Sequence, residues 1–185
     1  MTYDFDTPVD RSGTYSLKWE EAGDALPMWV ADMEFQTAPQ IRAALQQRLD
    51  HGIFGYSIVP PAWNQAYVDW WHRRHNLDID PESLVFSTGV VPAISSMVRK
   101  LTTANENVLI QTPVYNIFFN SIINNGCRVL ESPLEYDGSG HYSINWADLE
   151  SKLADPQTTL MILCNPHNPV GRIWDRDTLA RIGEL

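Results

Sequence analysis

The sequence predicts an α/β fold in which a mostly parallel sheet is sandwiched between helices. From residue 84 onward, short apolar segments typical of strands alternate with segments of helical spacing, and this alternation indicates right-handed crossovers between parallel strands. Hydrophobic residues make up 44% of the 185 residues, enough for a real core. The last predicted helix begins near Asp175 and no further strand follows it. We therefore expect an incomplete sheet and a longer natural chain.

Composition excludes several classes of function. The formal net charge is -10, with 13 basic and 23 acidic residues, whereas general binding to nucleic acids or anionic membranes needs a basic surface. The longest apolar runs span about five residues, far fewer than the roughly 20 that cross a bilayer. The acidic N-terminus does not resemble a signal peptide. Two cysteines in apolar surroundings favour free thiols in a reducing compartment, so we expect a cytoplasmic protein.

The N-terminal third contains an arm followed by two helices. Residues 1 to about 36 carry several Gly and Pro and no sustained period, which is typical of an extended arm. A helix begins near Ile41 with Thr37 as its cap, and Gly52 interrupts it. A second helix begins at Pro61, and its apolar residues repeat at helical spacing. They form one wide stripe, which we expect to be buried: Trp63, Ala66, Tyr67, Trp70 and Trp71.

The remaining elements alternate. Strands are predicted at 84–86, 108–110, 128–130 and 160–164. Helices are predicted at 90–103, at 114–124, as a short segment after the capping residue Asn145, and from Asp175 onward. A surface turn is expected at 136–141.

The turn after the first predicted strand is a candidate anion site. Its sequence is Ser87-Thr88-Gly89-Val90-Val91-Pro92, and Gly89 permits both a tight turn and the close approach of a ligand. Backbone N–H groups of Val90 and Val91 would be free at the helix start, where the helix dipole favours phosphate. An ordinary strand-to-helix turn is the alternative.

Tyr115 is expected at the same edge of the sheet, because it follows the next predicted strand. A rigid aromatic face at that position could stack on a flat heterocycle. The alternative is a core tyrosine beside Phe118 and Phe119.

Asn168 stands between two prolines, after the strand predicted at 160–164. Its amide could donate a hydrogen bond to a phenolic oxygen, and an Asx-Pro turn is the alternative. The neighbouring His167 is predicted to be a solvated loop residue.

Other site types have little support. Gly52 and Gly55 place Tyr56 on a turned loop, where packing is the alternative to a function. The sequence contains no complete dinucleotide-binding glycine motif, no P-loop and no paired-cysteine motif. The five histidines lack the spacing of a metal site, so we expect no metal.

Four motifs in order resemble a known family. They lie at 28–35, 51–56, 87–92 and 165–171. The chain from about Asp10 onward resembles the front half of a fold-type I pyridoxal-phosphate enzyme of the class I/II aminotransferase superfamily, and within it the MalY/PatB group of cystathionine β-lyases (C–S lyases). The resemblance implies that residues 1–40 form an N-terminal arm and part of a small domain. Residues 41–185 would form the first part of the large cofactor-binding domain.

The resemblance implies a site for pyridoxal 5'-phosphate. The turn at Gly89, with the N–H groups of Val90 and Val91, would hold the phosphate. Tyr115 would stack on the pyridine ring, and Asn168 would donate to the phenolic oxygen of that ring.

It also implies a homodimer with shared active sites. Tyr56 would reach the phosphate bound by the neighbouring subunit. The arm would line the substrate side of the pocket with Trp29, Val30 and Ala31.

The residues that carry the family's chemistry are not expected in this chain. The lysines are Lys18, Lys100 and Lys152, and none has a position suited to the Schiff-base lysine. No catalytic residue is therefore assigned, and the 185 residues alone should be inactive. The implied function of the full protein is a β-lyase that converts cystathionine or cysteine into a thiol, pyruvate and ammonia. The alternatives are an aminotransferase on the same scaffold and a non-catalytic regulatory or interaction protein.

Overall fold

The computed structural model describes residues 3–185, which fold as two compact units. The first ends at Val59 and the second spans Pro60–Leu185. This division concerns chain packing, so the functional boundary expected at residue 40 stays a prediction. Among the described residues, no helix is both long and apolar enough to cross a membrane.

The first unit contains two helices joined by extended loops. Helix α1 spans Leu17–Glu20 and helix α2 spans Pro39–His51. The predicted cap Thr37 is wrong, because Ala38 occupies the capping position. Proline fits the next position, since the first N–H groups of a helix have no partner inside it. Gly52 ends α2 as predicted, in the left-handed conformation with φ 72°.

The second unit alternates helices and strands. A short 3₁₀ turn lies at Pro81–Ser83. The helices are α3 (Pro61–His75), α4 (Val90–Leu101), α5 (Ile117–Ile123), α6 (Trp146–Leu153) and α7 (Arg176–Glu184). The strands are β1 (Asn107–Ile110), β2 (Arg128–Glu131), β3 (Glu135–Tyr136), β4 (Tyr142–Ser143) and β5 (Thr158–Ile162).

The main sheet is parallel, with β1 between β2 and β5. Val108 of β1 pairs with Val129 on one side and with Leu160 on the other. The last three residues of β1 are fully buried, as expected of a central strand covered on both faces. β3 and β4 form a separate hairpin around the predicted surface turn. The predicted α/β class and parallel sheet are confirmed.

Two hydrophobic clusters cover the two faces of the sheet. The first joins the sheet to α4 and α5, and its buried members are Val98, Val108, Ile110, Phe118, Ile122 and Cys127. The second joins the opposite face to α6 and α7, and its buried members are Leu109, Leu134, Ile144, Leu149 and Trp174. Val108 and Ile110 face one cluster while Leu109 faces the other, because successive side chains of a strand point to opposite faces.

The predicted caps of α6 and α7 are confirmed. The Oδ1 atom of Asn145 accepts a hydrogen bond from the N–H of Asp148 (3.0 Å), at the start of α6. The Oδ1 atom of Asp175 accepts from the N–H of Thr178 (2.8 Å), at the start of α7. Each cap satisfies a backbone donor that the helix leaves unpaired, so a short sequence signal is enough to predict it.

Two further sequence predictions, a strand at 84–86 and a buried face of α3, are wrong. Residues 84–86 form no strand, and Val85 is 89% exposed. Within residues 3–185 no strand pairs with this segment, and a β-strand needs such a partner. The aromatic stripe of α3 is not buried either, since Tyr67 and Trp70 remain more than 40% exposed. Its rings contact one another, as Trp63 does with Tyr67 at a centroid distance of 5.9 Å.

Candidate active site

Two loops leave the sheet at the same edge. Strands β1 and β5 are parallel neighbours, so the chain emerges from both at their shared carboxyl edge. Tyr115 lies five residues after the end of β1, and Asn168 lies six residues after the end of β5. The two loops are in contact through the Nε2 atom of His167 and the carbonyl oxygen of Pro113.

The N-terminus of α4 points toward that edge as well. At the other end of the helix, the Thr102 hydroxyl lies 3.0 Å from the sulfur of Cys127, which immediately precedes β2. The C-terminus of α4 is therefore near the amino edge of the sheet. Ile94 and Val98 pack along the sheet face in the first cluster. Gly89, at the start of the helix, then lies on the side of the carboxyl edge.

The start of α4 has the donors that an anion site requires. Within residues 3–185, the N–H groups of Val90 and Val91 have no hydrogen-bond partner, and Val90 is 74% exposed. Pro92 in the first turn has no N–H to satisfy. Both free donors stand at the positive end of the helix dipole, which favours a phosphate group.

The reason expected for Gly89 needs correction. Its φ of 166° and ψ of 170° are extended angles that any residue adopts, so the turn itself does not demand glycine. An added Cβ would meet only the Cδ atom of Pro92, at 3.6 Å. What glycine provides here is open space next to the free N–H groups, which allows a ligand to approach the backbone closely.

Tyr115 is held at its edge but is not a core residue. Its ring contacts Phe118 edge-on, with a centroid distance of 6.2 Å and an interplanar angle of 77°. The residue remains 42% exposed. A ring that is fixed on one side and accessible on another is suited to stacking on a flat ligand.

The two asparagines of the loop after β5 have different roles, one structural and one available to a ligand. Asn165 closes the loop, because its Oδ1 atom accepts from the N–H of Trp174 (3.1 Å). Asn168 donates its backbone N–H to the sulfur of Cys164 (3.4 Å), while its side-chain amide has no partner within residues 3–185. The amide of Asn168 is exposed, so it is available to a ligand and does not form an Asx turn.

His167 is not a solvated residue, contrary to the prediction. It is 1% exposed, and its ring packs edge-on against Trp174 at a centroid distance of 5.8 Å. Nε2 lies 3.1 Å from the carbonyl oxygen of Pro113. A carbonyl only accepts, so Nε2 carries the proton of the neutral ring. Burial lowers the pKa of His167, because desolvation disfavours the charged form.

Gln111 is a second buried polar residue at this edge. It follows β1 directly and is 2% exposed, and neither polar atom of its side chain has a hydrogen-bond partner in the described chain. Among residues 3–185, Nδ1 of His167 and Nε1 of Trp174 are likewise buried without a hydrogen-bond partner. Nothing in the sequence around Gln111 distinguishes it, whereas His167 does stand between two prolines just after a buried strand.

The remaining predicted residues lie in the first unit. Trp29 is 59% exposed, Val30 is half-buried and Ala31 is exposed. Tyr56 is fully exposed, on the loop after α2. Their expected roles on the substrate side and toward a neighbouring subunit stay predictions.

Two of the three lysines are engaged in structural contacts. The Nζ atom of Lys18 donates to the carbonyl oxygen of Asp32 (2.9 Å) and to Glu34 (2.7 Å). The Nζ atom of Lys152 is paired with Asp148. Lys100 lies in the last turn of α4, at the end opposite the free N–H groups.

The described geometry fits pyridoxal 5'-phosphate. Free N–H groups at a helix start match a phosphate, an accessible ring matches a heterocycle, and an unpaired amide matches an oxygen on that heterocycle. All three elements lie at the carboxyl edge of one parallel sheet, where ligands of open α/β folds bind.

Comparisons with curated proteins show similar sequences over nearly the whole chain. The chain is 47% identical to cystathionine beta-lyase PatB of Bacillus subtilis over 98% of its length, and 35% identical to protein MalY of Escherichia coli over 99%. It spans about half the length of these curated relatives, 48% of each.

Solved structures are also similar to this chain over almost its whole length. A PLP-bound putative aminotransferase from Clostridium difficile 630 has a TM-score of 0.90 and 45% identity, covering 99% of this chain and 48% of that one. Cystalysin from Treponema denticola, which contains pyridoxal 5'-phosphate, has a TM-score of 0.90 and 35% identity, covering 100% of this chain and 48% of the cystalysin chain. The family model described as aminotransferase class I and II matches residues 27–185. The chain belongs to this family, whose cofactor is pyridoxal 5'-phosphate.

Proposed function

We propose that the protein to which this chain belongs is a pyridoxal-phosphate-dependent C–S β-lyase. It would act on cystathionine or cysteine and release a thiol, pyruvate and ammonia. The observation that carries the cofactor dependence is the convergence of free N–H groups, an accessible ring and an unpaired amide at one sheet edge. The similarity to a relative named cystathionine beta-lyase supports the choice of reaction.

Each residue would have one task in holding the cofactor. The N–H groups of Val90 and Val91 would bind its phosphate, with room provided by Gly89. The ring of Tyr115 would stack on the pyridine. The amide of Asn168 would donate to the phenolic oxygen and fix the ring's orientation. When bound, the cofactor supplies an electron sink for bond cleavage next to an amino-acid α-carbon, while the protein supplies orientation and electrostatics.

The remaining chemical groups would come from sequence outside these 185 residues. By resemblance to the family, these are a lysine that binds the cofactor covalently, an aspartate beside the pyridine nitrogen and an arginine for the substrate carboxylate. The engaged contacts of Lys18 and Lys152 support this division. The 185 residues alone would then bind and orient but not complete a reaction.

The proposed assembly is a cytoplasmic homodimer. Tyr56 would reach across to the phosphate of the neighbouring subunit, and its full exposure in the single chain supports such a role. Trp29, Val30 and Ala31 would line the substrate side. Two free cysteines support a reducing compartment.

An aminotransferase on the same scaffold is the second candidate. One similar structure is described as a putative aminotransferase, at 45% identity. Both reactions require the cofactor to be held and oriented, so the described site suits either.

The test uses the full-length protein with pyridoxal phosphate and L-cystathionine. A β-lyase produces pyruvate and free thiol without any added keto-acid co-substrate, whereas an aminotransferase needs a keto acid as amino-group acceptor and yields a new amino acid. Pyruvate measured by coupled reduction and thiol measured colorimetrically should appear in equal amounts. Turnover that depends on added keto acid would favour the second candidate, and failure to bind the cofactor would overturn both.

A further inference from the structure

Residues 28–35 of the arm expose their apolar side chains, while their acidic side chains form ion pairs. The apolar side chains of Met28, Trp29 and Met33 are 85%, 59% and 75% exposed. The acidic side chains of Asp32 and Glu34 instead bind cationic residues of the same unit. A segment that turns apolar groups outward and anchors itself through charges is suited to binding an apolar surface or ligand.

Glu34 is the centre of the anchor. Its carboxylate accepts hydrogen bonds from Nζ of Lys18 (2.7 Å), Nε1 of Trp19 (3.1 Å) and the guanidinium of Arg11 (3.3 Å). The same guanidinium lies 2.7 Å from Asp32. Hydrogen bonds to a charged group are stronger and shorter than neutral ones, so this cluster has a defined geometry.

Lys18 fixes the main chain as well as a side chain. It is 9% exposed, low for a lysine, and its Nζ atom donates to the backbone carbonyl of Asp32 at 2.9 Å. Residues 28–35 form no helix or strand that would hold their backbone. The position of Trp29 and Val30 therefore depends on this contact and on Glu34.

We propose that Lys18 and Glu34 are positioning residues, which set the arm so that Trp29 and Val30 meet the substrate in one fixed geometry. This inference rests on the proposed function for the role of Trp29 and Val30. An anchored loop has less freedom to lose when a substrate binds, so the anchor should strengthen substrate binding without touching the cofactor.

The test uses the full-length protein loaded with pyridoxal phosphate. Lys18→Met removes the charge and both hydrogen bonds, Glu34→Gln weakens the same cluster, and Lys18→Arg keeps a cation that can donate to both partners. The matched control is Arg48→Met, which removes a cation from α2 outside the cluster. We expect KM for L-cystathionine to rise roughly tenfold in Lys18→Met and Glu34→Gln, with kcat within about twofold and cofactor content unchanged. In Lys18→Arg, KM should stay close to the wild-type value.

A second measurement needs no activity. Chymotrypsin cleavage after Trp29, followed by mass spectrometry, should be several times faster in Lys18→Met than in Arg48→Met, because the anchor restrains the segment. Equal cleavage rates would overturn the anchoring, whether or not the wild type is a lyase. Faster cleavage with unchanged KM, or an equal fall in kcat for every variant, would overturn the substrate-positioning role. Absence of lyase activity in the wild type with normal cofactor binding would instead contradict the proposed function.

Discussion

The Nε2 atom of His167 lies 3.1 Å from the carbonyl oxygen of Pro113, and this hydrogen bond ties together the two loops that carry Asn168 and Tyr115. The ring is buried and packs against Trp174, so its position is fixed from more than one side. The loops that carry Tyr115 and Asn168, the two residues proposed to bind the pyridine ring, are therefore both held by one neutral imidazole.

Removing this tie should weaken cofactor binding. In the full-length protein, His167→Ala deletes the hydrogen bond and leaves the Pro113 carbonyl without its partner, at a cost of about 1–3 kcal/mol. We expect the dissociation constant for pyridoxal phosphate to rise about tenfold or more in equilibrium titrations. The control is His51→Gln, at the exposed end of α2. Equal affinities in both variants would show that the loops hold their positions without His167.

The buried histidine should also make stability depend on pH. Burial lowers the pKa of His167 below its usual value near 6.5, so the folded protein resists protonation that the unfolded chain accepts. Its contribution to stability is complete above pH 6.5 and is lost as the pH falls from there toward the lowered folded pKa. The wild type should lose thermal stability between pH 7.5 and 5.5 by more than His167→Gln does. Identical pH dependence in the two proteins would contradict a buried neutral ring.

Val90→Pro tests the anion site by removing one donor. Val90 is the first residue of α4, where proline is favoured, and the ψ of 170° at Gly89 suits a residue that precedes proline. The helix should remain intact, as judged by circular dichroism. Losing one charge-assisted hydrogen bond of about 1.5 kcal/mol should weaken binding of pyridoxal phosphate roughly tenfold.

Val90→Ala is the matched control, because it shortens the side chain and keeps the N–H group. It should bind the cofactor like the wild type. Equal affinity of the proline and alanine variants would exclude a hydrogen bond from this N–H to the phosphate.

Substituting Asn165 and Asn168, in the loop after β5, should separate cofactor binding from protein stability. Asn168→Ala removes an amide with no partner in the described chain, so thermal stability of the protein without cofactor should be unchanged while cofactor affinity falls. Asn165→Ala removes the acceptor of the Trp174 N–H and should destabilise the protein by about 1 kcal/mol. Thermal unfolding with and without pyridoxal phosphate distinguishes the two effects. A loss of cofactor-free stability in Asn168→Ala would mean that this residue is structural.

Features set by neighbouring residues were predictable from the sequence. The caps Asn145 and Asp175 each bond to a backbone group three residues away, and the helix end at Gly52 follows from local backbone freedom. The order of strands and helices likewise indicated the parallel sheet. Motif order, together with the sheet edge it implies, brought Gly89, Tyr115 and Asn168 into one hypothesis.

Other features depended on residues far apart in the chain. Residues 84–86 have the composition of a strand, but pairing requires a neighbour that the sequence pattern does not specify. The burial of His167 depends on Pro113, 54 residues away, and the anchor at Glu34 on Lys18 and Arg11. Most helices and strands and the candidate chemical groups could be predicted from the sequence alone, because periodicity and capping act within a few residues. Which groups are buried, paired or left free became visible in the folded chain, because desolvation and hydrogen bonding depend on every neighbour in space.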